Sequence, residues 1–139
     1  YAKYGVLYNW KASLNACPPG WHLPTDSEWK TLEKTLGMNQ VSANNAGWRG
    51  TVEGRLIKAQ QGWKSGGNGS DISDFSALAG GYRVVDDTFR YDSTYANFWT
   101  ASEYSGDDGW ARYLYYNNNG IYRGPFTKEF GFSIRCVRD

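Results

Sequence analysis

Several things are scarce in this chain of 139 residues, and each scarcity excludes something. Leu, Ile and Val are thinly spread, and no apolar run approaches the length of a membrane-spanning helix. There is one His, one Met and two Cys, so neither a histidine cluster for acid–base work nor a cysteine-rich metal or redox motif is present. Neither sign of charge dominates: fifteen Lys and Arg stand against fourteen Asp and Glu, which gives no basic footprint for nucleic acid and no acidic tail. What is abundant is aromatic and glycine. Seven Trp, eleven Tyr and six Phe accompany seventeen Gly. A core of this kind rests on large rings, each burying about 150–250 Å². The glycines permit tight, irregular backbone, so much loop and little helix are expected. The length fits a single domain over residues 1–139, large enough for a substantial core.

The two cysteines, Cys17 and Cys136, lie near opposite ends of the sequence and have three readings. They can form a disulfide that ties the ends together. Closing a loop of about 120 residues would stabilise by about 4–5 kcal/mol in the chain-entropy model. They can be two buried thiols. They can join His22 in a zinc site, which lacks a fourth ligand and any C-x-x-C pair.

Leu7, Trp10, Leu14 and Cys17 recur at helical spacing, which predicts a short helix over 7–17 that Pro18, Pro19 and Gly20 end. Thr25 and Glu28 form a capping box, Asp26 and Glu28 suit the positive helix start, and Trp29, Leu32 and Leu36 share the face of a second helix that stops at Gly37. Residues 38–82 carry little pattern: a helical turn or two within 52–60, and a glycine-rich loop at Gly66, Gly67 and Gly69. The last third reads as antiparallel sheet. Arg83–Val85 and Thr88–Tyr91 flank an Asp86-Asp87 turn, and Asn97–Glu103 is a further strand. In Trp110–Tyr116, Trp110, Arg112 and Leu114 fall on one side, read as facing the body, with Ala111, Tyr113 and Tyr115 outward. Asn119-Gly120 signals a hairpin with positive φ, from which Ile121–Gly124 returns. Phe132, Ile134 and Cys136 share a face of a last strand.

The order of a helix, a cysteine, a capped helix, an irregular middle and a sheet closing on a second cysteine resembles the C-type lectin fold. That resemblance implies a Cys17–Cys136 pair and an α+β architecture, with two helices, a twisted, mostly antiparallel sheet and long irregular loops. His22-Leu-Pro-Thr-Asp-Ser-Glu-Trp29 and Gly131-Phe-Ser-Ile-Arg-Cys136 are similar to segments of the branch that contains formylglycine-generating enzymes. Along nearly the whole chain, Tyr8-Asn-Trp10, Cys17 through Asp26, Phe75-Ser-Ala-Leu78, Gly80-Gly-Tyr-Arg83, Phe98-Trp99 and Gly131 through Asp139 resemble the bacterial Fibrobacter succinogenes major paralogous domain. This implies a secreted or surface-displayed bacterial module, or one carried on a phage particle. Some members of the wider fold group are variable proteins of diversity-generating retroelements, whose retargetable face precedes the closing strand; here that interval is Tyr104–Phe130.

The residues favour binding over catalysis. The cysteine pair that formylglycine-generating enzymes use has no counterpart within Trp110–Tyr116, and no nucleophile–base pair stands elsewhere. The calcium-binding "EPN", "QPD" and "WND" motifs of lectins are absent. Asn68, Asp71 and Asp74 supply oxygen ligands for a different calcium site, against the plainer reading of a solvated turn; no other cofactor is expected. The segment from Tyr104 to Phe126 has the composition of a paratope, rich in Tyr, Asn, Ser and Gly. Tyr104, Asp107, Asp108, Tyr113, Tyr115, Asn117, Asn118, Asn119, Tyr122 and Phe126 are the expected ligand-binding residues. The expected partner is a protein or glycan at a surface, with neither nucleic acid nor direct insertion into a membrane. The competing readings are a retargetable recognition face, a fixed carbohydrate-binding module and a structural module of a surface fibre.

Overall fold

The computed structural model describes residues 3–139. The chain is α+β. It runs α1 (Trp10–Ser13), β1 (Trp21–His22), α2 (Asp26–Thr35), α3 (Gln40–Asn44), β2 (Gly47–Arg49), α4 (Glu53–Ile57), β3 (Tyr82–Arg83), β4 (Phe89–Arg90), β5 (Tyr95–Glu103), β6 (Asp108–Tyr115), β7 (Ile121–Thr127) and β8 (Val137–Arg138). The main sheet has the order β2-β7-β6-β5 and is antiparallel throughout. Two short antiparallel pairs, β1 with β8 and β3 with β4, complete the strands.

The best-marked helix forms as its signals require. The Thr25 hydroxyl accepts the Glu28 N–H at 3.1 Å, and Trp29, only 2% exposed, anchors the inner face. Gly37 follows at φ +117°, where a side chain would be strained. Only half of the capping box closes. The Glu28 carboxylate turns away to His22 Nε2 at 2.8 Å, while His22 Nδ1 meets Asp139 at 2.7 Å. His22 therefore ties α2 to the chain's end. Its pKa is raised, chiefly by Asp139 and then by Glu28.

Several expectations are corrected. The first helix is one turn, capped by Asn9, because Leu14 stays 40% exposed and nothing apolar holds a second turn. Among the described residues there are four helices, not two; α4 falls where a helical turn or two was expected within 52–60, and α3, five residues long, is too short for its periodicity to stand out. The closing strand is broken: Gly131, Phe132 and Ser133 make isolated bridges to three different partners, and regular pairing resumes only at β8. The β6–β7 hairpin forms, but neither Asn119 nor Gly120 has positive φ. Gly120 is required by close approach instead: a Cβ there would lie 2.5 Å from the Arg49 carbonyl, and one on Gly54 would lie 2.0 Å from the Gly120 carbonyl. That contact seats α4 on the turn. Cys17 and Cys136 are joined in a disulfide, which removes both the free-thiol and the zinc readings.

The core lies on both faces of the main sheet. Between the sheet and the helices sit Trp29, Ile57, Trp63, Ala96, Phe98, Leu114 and Ile121. On the opposite face Trp10, Leu23, Trp99, Ala111 and Phe132 form a second cluster beside Cys17. Ala111, expected to face outward, is fully buried there. The helix side also buries charge. Arg49, Arg112 and Arg123, from β2, β6 and β7, converge on Asp26 and Glu33 of α2. Asp26 accepts Arg112 at 2.7 Å and Arg123 at 2.8 and 2.9 Å; Glu33 accepts Arg49 at 2.7 Å and Arg112 at 3.2 Å. Burial alone would raise the Asp26 pKa, but the two guanidiniums override it and hold the carboxyl well below the usual range.

A candidate ligand-binding face

Strand alternation sorts the sheet into two unlike faces. Register pairs Asn97 with Tyr113 and Tyr113 with Tyr122, and pairs Trp48 with Tyr122, so these four residues form a row across β5, β6, β7 and β2 on the face away from α2. Tyr95 and Tyr115 form the next rung, stacked at 4.8 Å. The lower half of this face is covered by Trp10 and Phe132, which pack over Trp99 and Ala111. The upper half carries rings that are covered chiefly by one another. Tyr113 and Tyr122 stack at 4.2 Å, and Trp48 stands nearly perpendicular to both, at 5.2 and 5.6 Å. At these separations two edges would overlap, so the tyrosine edges meet the Trp48 face, and Trp48 remains 40% exposed. Phe126 closes the lower side of the stack against Tyr113, Tyr122 and Phe132.

Next to this stack is a cleft of ≈ 190 Å³, between β3 on one side and β6 on the other. Tyr82 and Phe130 form one wall, Tyr113 and Phe126 the other, with Tyr95, Asn97 and Phe132 completing it. Asn97 is 3% exposed, and its Oδ1 has no hydrogen-bond partner among the described residues. Burial, helped by Tyr122 and Tyr95, pushes the Tyr113 phenol up to about 12, and burial likewise raises Tyr82. Both phenols thus stay protonated across the physiological range and present O–H donors.

The expected site residues separate into four places. Tyr113, Tyr122 and Phe126 come together, with Tyr115 one rung away. Tyr104 lies elsewhere: its ring packs edge-on at 5.0 Å against Trp110, which in turn covers the Arg123 guanidinium at 3.8 Å on the helix side of the sheet. Asp107 and Asp108 stand at the β5–β6 end, where the Asp107 carbonyl accepts the Lys128 N–H. Asn117, Asn118 and Asn119 stand at the other end of β6, about 25 Å away for a strand of this length. There the Asn118 side chain accepts the Gly120 N–H, the Asn118 carbonyl accepts Lys58 Nζ at 2.8 Å, and the Asn119 carbonyl caps the start of α4. Of the side chains offered for a calcium site, Asn68 accepts the Trp63 N–H and Asp71 the Ser76 N–H, while Asp74 is exposed. Among the described residues no group of three or more His, Cys, Asp or Glu is placed to hold a metal.

Trp48, Tyr82, Tyr95, Asn97 and Phe130 were not expected at the site. Trp48 sits in the unpatterned middle of the chain. Asn97 begins the strand expected over Asn97–Glu103, and Tyr95 was legible only by extending it two residues toward its start, where Tyr95, Asn97 and Trp99 alternate with Ala96 and Phe98.

No curated protein and no solved structure matches the chain. The model of the Fibrobacter succinogenes major domain matches residues 1–138, and this chain belongs to that family.

Proposed function

We propose that this domain is a non-catalytic ligand-binding module that works outside the cytoplasm through the aromatic face of its main sheet. The observation that carries the reading is the pairing of a part-exposed array of rings, Trp48, Tyr95, Tyr113 and Tyr122, with an unpartnered amide, Asn97, beneath it. Clustered aromatic surface with a few polar groups is the common composition of recognition sites. The disulfide supports an extracytoplasmic setting, since such bonds persist in oxidising compartments. No helix among the described residues is long and apolar enough to cross a membrane. A C-type-lectin-like fold remains the proposed kinship, supported by the helix–cysteine–sheet order and the end-to-end disulfide.

Within this reading a fixed ligand is favoured over a retargetable one. Tyr113 contacts Trp48, Tyr95, Tyr122 and Phe126, and Phe126 contacts the buried Phe132, so exchanging these rings disturbs packing as well as specificity. The preferred ligand is a glycan. The test is binding to an array of bacterial and plant polysaccharides, with Trp48→Ala beside the wild type. Trp48 is exposed enough for its loss to leave the melting temperature within a few degrees, and the reading requires that binding fall sharply. Unchanged binding by Trp48→Ala, or retention of no polysaccharide, counts against it.

A further inference from the structure

We infer that the Asn97 cleft is the subsite for one neutral pyranose residue, held edgewise between Tyr82 and Tyr113 with a ring hydroxyl hydrogen-bonded to the Asn97 side-chain amide. This deepens the glycan reading above and rests on it.

The size of the ligand follows from the cleft. At ≈ 190 Å³ it is smaller than the roughly 300–1,000 Å³ of sites for drug-sized molecules, and it accepts about one six-membered ring. Its charge follows from the walls. Among the described residues no Asp, Glu, Lys or Arg lines the cleft, so a carboxylate or ammonium entering it would lose water without gaining an ionic partner. Its polarity follows from the floor. A buried amide oxygen without a partner is destabilising unless something satisfies it. Asn97 lines the cleft together with Tyr82 and Tyr113, so a ligand seated there meets the amide beside those two rings. The phenols of Tyr82 and Tyr113 line the same cleft and supply further O–H donors. A molecule with apolar C–H faces, several hydroxyls around its edge, no charge and one-ring size matches all of these features. A free aromatic ring would match the walls but leave the amide unsatisfied. A quaternary ammonium would match the rings but could not donate to Asn97.

The test uses the intact domain and a panel of methyl hexopyranosides and pentopyranosides, followed through the Asn97 side-chain amide by nitrogen–proton NMR. For about 13 non-hydrogen atoms at ordinary affinity per atom, the expected Kd is about 1 mM. At least one glycoside should shift the Asn97 amide saturably. Asn97→Leu should weaken that binding at least about fivefold, the loss expected for one hydrogen bond to a buried group. It should leave the melting temperature unchanged or raised, because it removes an unsatisfied buried amide. Tyr113→Phe, which keeps the ring, should weaken binding to a smaller extent. The inference is overturned if no glycoside in the panel shifts the amide. It is overturned if tetramethylammonium shifts it and the sugars do not, or if Asn97→Leu binds as the wild type does. Polysaccharide binding that shifts Trp48 and Tyr122 but not Asn97 overturns this subsite alone and leaves the aromatic-face reading standing. Loss of stability in Asn97→Leu without loss of affinity makes Asn97 a packing residue and also overturns it.

Discussion

Replacing Asp26 by Asn tests whether the buried charge network holds α2 to the sheet. The change is nearly isosteric and keeps the backbone N–H that bonds Ser102 and the carbonyl that accepts Arg112. It removes the negative charge facing Arg112 and Arg123, whose side chains are 0% and 8% exposed. Glu33 is then the one remaining carboxylate among three guanidiniums. Breaking a buried pair by removing one partner typically costs about 3–5 kcal/mol. With an unfolding entropy of about 2.1 cal/mol/K per residue, 139 residues give about 0.3 kcal/mol/K, so the melting temperature should fall by about 10–17 °C. The pH dependence supplies a second reading. The folded pKa of Asp26 lies below its unfolded value, so its contribution is complete above about pH 4 and is lost as the pH falls toward the folded pKa. The gap between wild type and variant should therefore narrow in acid. Calorimetry from pH 7 to pH 3 measures both. A gap of less than about 1 kcal/mol at pH 7, or one that does not narrow, refutes the reasoning.

Other consequences are independent of that network. Replacing Cys17 and Cys136 together by Ser opens a loop of 119 residues and should cost about 5 kcal/mol, read as a denaturation midpoint well below that of the oxidised protein; equal midpoints would contradict it. Tyr113→Ala with Tyr122→Ala should lower stability by a few kcal/mol, because the two rings stack on each other and carry Trp48 and Phe126, whereas the matching Phe variants should melt near the wild type. Burial brings the Lys58 ammonium down to about 8, so its contribution to stability is complete above about 10.5 and is lost as the pH falls through 8. The stability difference between wild type and Lys58→Met should grow from pH 8 to pH 10.5, and a flat difference would show that Lys58 titrates normally. Gly54→Ala puts a Cβ against the Gly120 carbonyl and should cost at least about 1–3 kcal/mol in a urea titration, although alanine is the better helix former.

The parts of the fold that were legible in the sequence are those that local chemistry determines. The Thr25 cap, the Trp29–Leu36 stripe and the Gly37 stop lie within a dozen residues and need no distant partner. The β6 alternation was readable because its helix-side positions Arg112 and Leu114 differ from Tyr113 and Tyr115 in size and polarity. Ala111 defeated the same pattern, since a small residue gives no hint that Trp10 and Phe132 will cover it. The role of Asp26 was half visible: the helix start explains its place in the sequence, but its partners come from β6 and β7, about 90 residues away. The residues of the paratope-like segment 104–126 fall on β6 and β7 and their turns, but strand alternation and length spread them over two faces and both ends of the sheet. The cleft itself could not be read, because Tyr82, Asn97 and Phe130 meet only through tertiary packing.

On the proposed function, ligands meet the rings of the main sheet rather than its terminal turns. Carbon–proton NMR of the aromatic side chains, recorded while a retained polysaccharide fragment is titrated in, tests it most directly. Shifts concentrated at Trp48, Tyr82, Tyr95, Tyr113 and Tyr122, with Tyr104 unmoved, are the predicted result. Shifts centred on Tyr104, or confined to backbone signals of Asp107–Asp108 or Asn117–Asn119, would contradict it.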